Sequence, residues 1–416
     1  MPFTLSLSCL RPSPCGNALA ATSMGPTTDQ ETSVCPACLN EPEYLAEFIR
    51  SNATLLECSY CGQRTTQPSA VPLDDVVELI QGAVSEEYED AANSVPYESA
   101  EGGYQMTTYT SDEILYELGV FSESESLMRD LANSLPDYAW VERDPFSLSR
   151  YDALRFGWEE FARQVKHQTR FLFFKEEKRD EDWHDDIRPS EMLDALGALV
   201  RELGLVAPMR AGTRLYRVRQ HEPAVKPHDL GSLGPPPIEH ARYANRMSPA
   251  GVSMLYASLD AVTAASETLD RRSKRLISVT TAELETLRDL RVLDLTNLPP
   301  VPSVFDASSY RDQRHGVAFI RSFTDDLTQP VQKDGREHVE YVPSQVVTEY
   351  FRFRFRGEHE EPVNGILYPS AVRADGTNVV LFLGAEDCVE TNALGRRGSP
   401  PLRLVAASTR PLQGHP

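Results

Sequence analysis

At Val206 the sequence changes texture, and that change limits the possible folds more than any other feature. Before it, apolar residues recur at helical spacing. Val76, Val77, Ile80, Val84 and Tyr88 predict a helix from Leu73 to about Ala92, because residues three and four apart share one helix face. Thr110 and Glu113 form a capping-box pattern for a short helix through Leu118, with Gly119 to end it. Further helices are predicted over Glu123–Leu135 and over Leu148–Phe174, the second with Leu154, Trp158, Phe161, Val165, Leu172 and Phe174 on its apolar face. Ser190 is the expected cap of a helix over Met192–Leu203, whose Leu193, Leu196, Leu199, Val200 and Leu203 face a core.

After Val206 the runs are short and strand-like. Leu215–Val218, Met254–Ala257, Arg275–Val279, Arg291–Leu295 and Asn378–Leu383 read as strands. Asp260 is a good cap for a helix through Leu269, and Val346–Phe355 reads as helix passing into strand. Pro235, Pro236 and Pro237 mark a loop expected to border a pocket. Strands and helices alternate irregularly, which predicts an α+β fold and not a regular doubly wound sheet.

A chain of 416 residues exceeds one ordinary core, so several domains are expected. They read as a disordered leader over 1–33, a cysteine-rich segment over 34–68, a helical domain over 69–204, an α+β domain over 205–390 and a flexible tail over 391–416. No apolar run approaches the roughly 20 residues of a membrane span. The start lacks a basic stretch followed by an apolar one, so no secretory signal is read and a cytoplasmic setting is expected.

Net charge is −21, and it is uneven: Val71–Glu142 holds 17 acidic residues against a single basic one, Arg129. That stretch repels nucleic acid and anionic lipid, since phosphate binding needs Lys and Arg. Its plainest reading is a solubilising helical surface; an acidic face for a partner is the other.

Cys35, Cys38, Cys58 and Cys61 read C-P-A-C, nineteen residues, then C-S-Y-C-G. The spacing suits a tetrahedral zinc site of structural kind with four cysteine ligands, since all four positions come from the protein and none is left open for catalysis. Two disulfides would require an oxidising compartment, which nothing in the sequence indicates. Cys9, Cys15 and Cys388 fit no pattern.

Five residues after the texture change could together bind and cleave a dinucleotide such as NAD: Arg217, Arg246, Tyr256, Glu267 and Ser370. The arginine forks suit phosphate oxygens, and Tyr256 offers an aromatic wall for the nicotinamide. Glu267 offers a carboxylate for the ribose hydroxyls and for an oxocarbenium-like cation. Ser370 offers a hydroxyl to the amide or a ribose hydroxyl. Taken singly, each has an ordinary reading as surface arginine, core tyrosine, exposed helix residue or turn serine.

The order of their surroundings carries a resemblance. Leu-Tyr-Arg-Val-Arg, Asn-Arg-Met-Ser-Pro-Ala-Gly with Leu-Tyr-Ala-Ser, Thr-Ala-Ala-Ser-Glu, Tyr-Val-Pro-Ser-Gln and Gly-Ile-Leu-Tyr-Pro-Ser make residues 205–390 similar to the RES domain. That family looks like a variant of the ADP-ribosyltransferase fold and includes bacterial toxins that destroy NAD. The resemblance puts Arg217, Glu267 and Ser370 on the positions that name the family, and Arg246 and Tyr256 on further pocket positions.

Trp158-Glu-Glu-Phe161, Val165-Lys-His167 and Arg170-Phe-Leu-Phe-Phe174 resemble the HEPN/RES N-terminal domain. HEPN ribonucleases place four to six residues between an Arg and a His. Arg163 and His167 have three, so ribonuclease activity is not read here and His167 is taken as structural.

The resemblance implies an NAD-consuming toxin or defence effector, a glycohydrolase or phosphorylase. The alternatives are ADP-ribosylation of a macromolecule and nucleotide sensing without turnover. An antitoxin or regulatory protein is the expected partner, and residues 1–204 are a candidate for restraint in cis.

Overall fold

The helical half is set by the apolar stripes just described. The computed structural model describes residues 32–172, 187–225, 227–268, 277–331, 335–357, 360–390 and 400–412. The leader up to residue 31, with Cys9 and Cys15, lies outside them, as do Phe174, Leu269 and Arg275.

The chain divides into two units. The first comprises Met1–Val77 with Phe121–Met128. Within it Ser33–Val34 pair antiparallel with Val71–Pro72, and helix α1 (Glu43–Asn52) buries Leu45, Ala46 and Ile49. Residues 32–34, expected in or beside the leader, are thus ordered into a ribbon. The Ser122 hydroxyl donates to the Cys38 carbonyl at 2.5 Å and ties the inserted segment to the cysteine turn.

The second unit comprises Glu78–Val120 and Arg129–Pro416. The chain enters it along α2 (Leu73–Glu87), where the unit boundary falls. Tyr88, expected on that helix, instead opens a short strand over Tyr88–Asp90 that pairs with Trp140–Glu142. The capping box forms as read: Glu113 N–H donates to Thr110 Oγ1, Thr110 N–H donates to Glu113 Oε2 at 2.8 Å, and α3 (Ser111–Glu117) follows. Then come α4 (Glu125–Ser134), which enters the second unit at Arg129, α5 (Arg150–His167) and α6 (Pro189–Glu202).

Two expectations change here. Helix α5 stops at His167, and Leu172 is exposed and not part of the apolar face. Helix α6 begins at Pro189 with Arg188 at the cap position, so Ser190 lies inside its first turn. Proline suits that first position because its fixed φ is already helical and its missing N–H is not needed there.

The strand-like half forms one nine-stranded sheet. In chain order the strands are β1 (Val206–Met209), β2 (Arg214–His221), β3 (Leu255–Ser258), β4 (Ile277–Thr286), β5 (Leu290–Asp294), β6 (Gly365–Pro369), β7 (Thr377–Leu381), β8 (Cys388–Val389) and β9 (Leu402–Leu412). Across the sheet they run β8-β9-β4-β2-β3-β7-β6-β5-β1. Only β5–β6 and β8–β9 are parallel among the described pairs. Helices α7 (Ala261–Thr268), α8 (Arg311–Thr328) and α9 (Val342–Glu349) complete the unit.

The sheet is covered on both faces, and alternation along β7 shows it. Val380 joins the core that holds α5, α6, α8 and α9, whereas Val379 and Leu381 join the core on the opposite face with Leu215, Ala282 and Leu404. A strand buried on both sides reads as a continuous apolar run, which explains the texture of Asn378–Leu383.

Two more corrections follow. The expected strand near Phe355 is a π-helical turn, Tyr350–Arg354, continuing from α9. The alternating Phe-Arg run is misleading there: Phe351 and Phe355 are buried four residues apart, while Phe353 is exposed. The tail after Glu390 is not wholly loose either. Residues 402–412 form β9, paired antiparallel with β4 along its whole length, and bury Leu402 and Leu404.

Candidate active site

The sheet is weakest between β2 and β3, where Tyr216↔Ser258 is the one registered pair among the described residues. A cavity of about 830 Å³ opens there, lined by Arg217 from β2, Tyr256 from β3, Arg246 from the loop ahead of β3 and Glu267 from α7. Four of the five residues picked out in the sequence therefore meet in one pocket. The fifth, Ser370, follows β6 and reaches the same place through Glu267.

Each side chain is placed by local chemistry. Asp260 caps α7: its Oδ1 accepts from the N–H groups of Val262 and Thr263 at 3.0 and 2.9 Å. That cap fixes the helix whose last turn carries Glu267. Ser370 sits at the start of a turn closed by its own N–H donating to the Gly376 carbonyl at 2.8 Å. Its hydroxyl donates to Glu267 Oε1 at 2.6 Å, and Asn378 Nδ2 donates to the same oxygen at 2.5 Å. Asn378 is oriented in turn by the Ser258 hydroxyl, which donates to its Oδ1 at 2.7 Å. Ser258, Ser370 and Asn378 are buried, while Glu267 is exposed to the cavity. One carboxylate oxygen is thus pinned from behind. Among the described residues Oε2 accepts no hydrogen bond.

Arg217 has neutral partners. Its Nη1 donates to the carbonyls of Leu233 and Gly234, the first at 3.3 Å. Burial pushes this guanidinium down to about 9, and the neighbouring Arg219 works in the same direction. It stays cationic at neutral pH, but backbone carbonyls and no carboxylate receive its charge. Such an arrangement favours an anionic ligand.

Arg246 is also held by carbonyls, of Leu327 at 2.7 Å and Gln329 at 2.6 Å. Tyr256 is fixed through its hydroxyl, which accepts from Met247 N–H at 3.2 Å and lies 3.0 Å from the Ser248 hydroxyl. Burial pushes its phenol up to about 12, so it is a neutral aromatic wall. Its ring also packs against the main core.

The sequence reading missed Asn378, Tyr341 and Tyr368, which line the same cavity. An asparagine inside Thr-Asn-Val-Val-Leu was the available signal, since asparagine is disfavoured in strands. The triple proline bears on the pocket less directly than expected: the loop before it supplies the Leu233 and Gly234 carbonyls to Arg217, and the Pro236 carbonyl accepts from Ser253 at 2.6 Å.

Arg163 and His167 stand apart from this pocket. Both are exposed, Arg163 is paired with Glu160 at 2.8 Å, and His167 has no core role.

In the first unit the sulfurs of Cys35, Cys38, Cys58 and Cys61 lie within 4.8 Å of one another. The Cys35–Cys61 and Cys38–Cys58 sulfur separations are 3.8 and 3.7 Å. A tetrahedron with metal–sulfur bonds of about 2.3 Å has edges of about 3.8 Å, so the four thiols are spaced to share one metal ion. All four are free cysteines.

No curated protein matches the chain. Residues 51–179 match the HEPN/RES N-terminal domain 1, covering most of the helical half, and residues 214–402 match the RES domain, from the start of β2 to the first residue of β9. The pocket at the β2–β3 seam is thus enclosed by the second match, and the chain carries a match to the HEPN/RES N-terminal domain 1 followed by a match to the RES domain.

Proposed function

We propose that the protein consumes NAD by breaking the bond between nicotinamide and ribose. The RES match supports an NAD-directed, toxin-like role in general. The observation that carries the specific reading is the pairing of Glu267, one oxygen pinned and the other unclaimed, with Arg217, a half-buried cation answered by carbonyls among the described residues.

In this reading Arg217 and Arg246 hold the pyrophosphate and Tyr256 orders the nicotinamide. The electron pair of the glycosidic bond leaves with nicotinamide, which departs neutral. The ribose becomes oxocarbenium-like, and Glu267 Oε2 stabilises it. Water or phosphate then attacks the ribose carbon and gives up a proton to solvent or to the carboxylate. Ser370 and Asn378 keep the carboxylate aimed through the bonds both donate to Oε1. In the first unit we propose zinc as the ion held by the four cysteines, in a structural role.

The test is product analysis of NAD incubated with pure protein, with and without phosphate. Nicotinamide release is expected. Glu267→Gln should lower it by about 10²- to 10⁴-fold, the scale for a positioned catalytic group, with the fold intact by circular dichroism. Wild-type protein that leaves NAD untouched under both conditions would sink the reading. Label passing from NAD to a macromolecule would make the protein a transferase instead.

A further inference from the structure

Arg246 stands on the loop before β3, but its guanidinium is held from elsewhere. Leu327 and Gln329 supply its two carbonyls, and the Tyr341 ring lies 5.7 Å from its Cζ. All three belong to the end of α8 and the stretch after it. That stretch is gripped from the helical domain. Trp158 Nε1 donates to Asp326 Oδ2 at 3.3 Å, one residue before Leu327. Lys166 Nζ donates to Glu340 Oε2 at 2.8 Å, one residue before Tyr341. Trp158 and Lys166 lie eight residues apart on one face of α5, about 12 Å along its axis. Between them lies a second cavity, of about 680 Å³, which shares Arg246 and Tyr341 with the first.

We propose that Trp158 and Lys166 are positioning residues for Arg246, so that the helical domain is a working part of the RES pocket. This rests on the reading of that pocket as an NAD site. A guanidinium held by two carbonyls and an aromatic ring faces where they put it: the carbonyls of Leu327 and Gln329 follow Asp326, and the Tyr341 ring follows Glu340. Trp158 is itself buried and packed against Phe161 and Phe323. Loosening either tether lets one of the groups that hold Arg246 drift. Arg246 binds phosphate and does not touch the breaking bond, so the loss falls on substrate binding and not on the chemical step.

The experiment uses the full chain. Lys166→Met keeps the aliphatic stem and removes the charge; Trp158→Phe keeps an aromatic ring and removes the N–H. Hydrogen exchange without NAD is measured at Leu327–Gln329 and Glu337–Tyr341, and KM and kcat for NAD are measured beside it. Faster exchange at Glu337–Tyr341 is expected in Lys166→Met and at Leu327–Gln329 in Trp158→Phe, with KM raised about 3- to 10-fold, the range of remote coupling, and kcat within twofold. Lys166→Glu combined with Glu340→Lys should restore KM, which a role in stability alone would not require. Trp158→Phe should raise KM in the same way if Lys166→Met does not fold. Unchanged exchange and KM in a folded variant, or a fall in kcat alone, would overturn the proposal. Wild-type protein that ignores NAD would defeat the pocket reading, while exchange would still decide whether the tethers exist.

Discussion

Arg217 is the residue on which the electrostatics of the pocket turn. Its charge is answered by carbonyls and opposed by Arg219, and burial brings it down to about 9. An anion bound beside it would stabilise the charged form, so its value must be higher in the complex than in the free protein. The sign follows: affinity for a pyrophosphate is complete below about pH 9 and falls as pH rises past it, with KM for NAD climbing by up to tenfold per pH unit. KM measured between pH 7 and 10 checks this, and a flat profile would separate Arg217 from binding. At this scale the sequence was informative on charged and aromatic groups at element edges: Arg217, Arg246, Tyr256 and Glu267 line one cavity, and Ser370 bonds to Glu267. It was silent on Asn378. That side chain matters only through what faces it across the sheet, Ser258 on one side and Glu267 on the other, and strand pairing is a long-range fact.

Single elements were legible when their determinants are local. The Thr110 and Glu113 box, the Asp260 cap and the cysteine turns all lie within a few residues of the structure they make. Ser190 misled because Pro189 takes the first helical position, whereas Val346–Phe355 and β9 misled because packing decided them. Phe351 and Phe355 turn into the core shared by α5 and α8, and β9 needs β4 beside it. The cysteine turns carry their own prediction. Cys38 N–H donates to the Cys35 carbonyl at 3.1 Å and Gly62 N–H to the Cys58 carbonyl at 2.9 Å, with Gly62 at φ +67° in the left-handed region. These turns bring four thiols to one point, and as thiolates there they would need an ion to offset their mutual repulsion. Metal analysis should find one zinc per chain, released by a strong chelator. Hydrogen exchange over 33–72 should then quicken, while the sheet from 206 to 412 keeps its protection. Intact protection in metal-free protein would make the cluster a coincidence of spacing.

At the scale of the second unit, the idea that residues 1–204 restrain the RES domain meets the packing. Leu154, Trp158, Phe161, Val165, Met192, Leu196 and Leu199 share one core with Leu293, Phe319, Phe323, Phe351 and Ile366. The approach is close enough to need glycines. A Cβ at Gly316 on α8 would lie 2.9 Å from Leu199 Cδ1, and one at Gly197 on α6 would collide with the Tyr350 hydroxyl. Charge locks the same contact: Arg314, buried, pairs with Glu87, and Arg311 Nε meets that carboxylate at 3.0 Å. Each buried side chain lost with α5 and α6 removes about 1.5–3 kcal/mol, against a typical domain stability of about 5–15 kcal/mol. Deleting residues 1–204 should therefore yield an aggregating RES fragment with little NAD turnover, not an unleashed one. Sedimentation and a melting curve on the fragment decide it. A soluble, cooperatively melting 205–416 fragment that turns NAD over faster than the full chain would show that the shared core is dispensable and that restraint in cis is real.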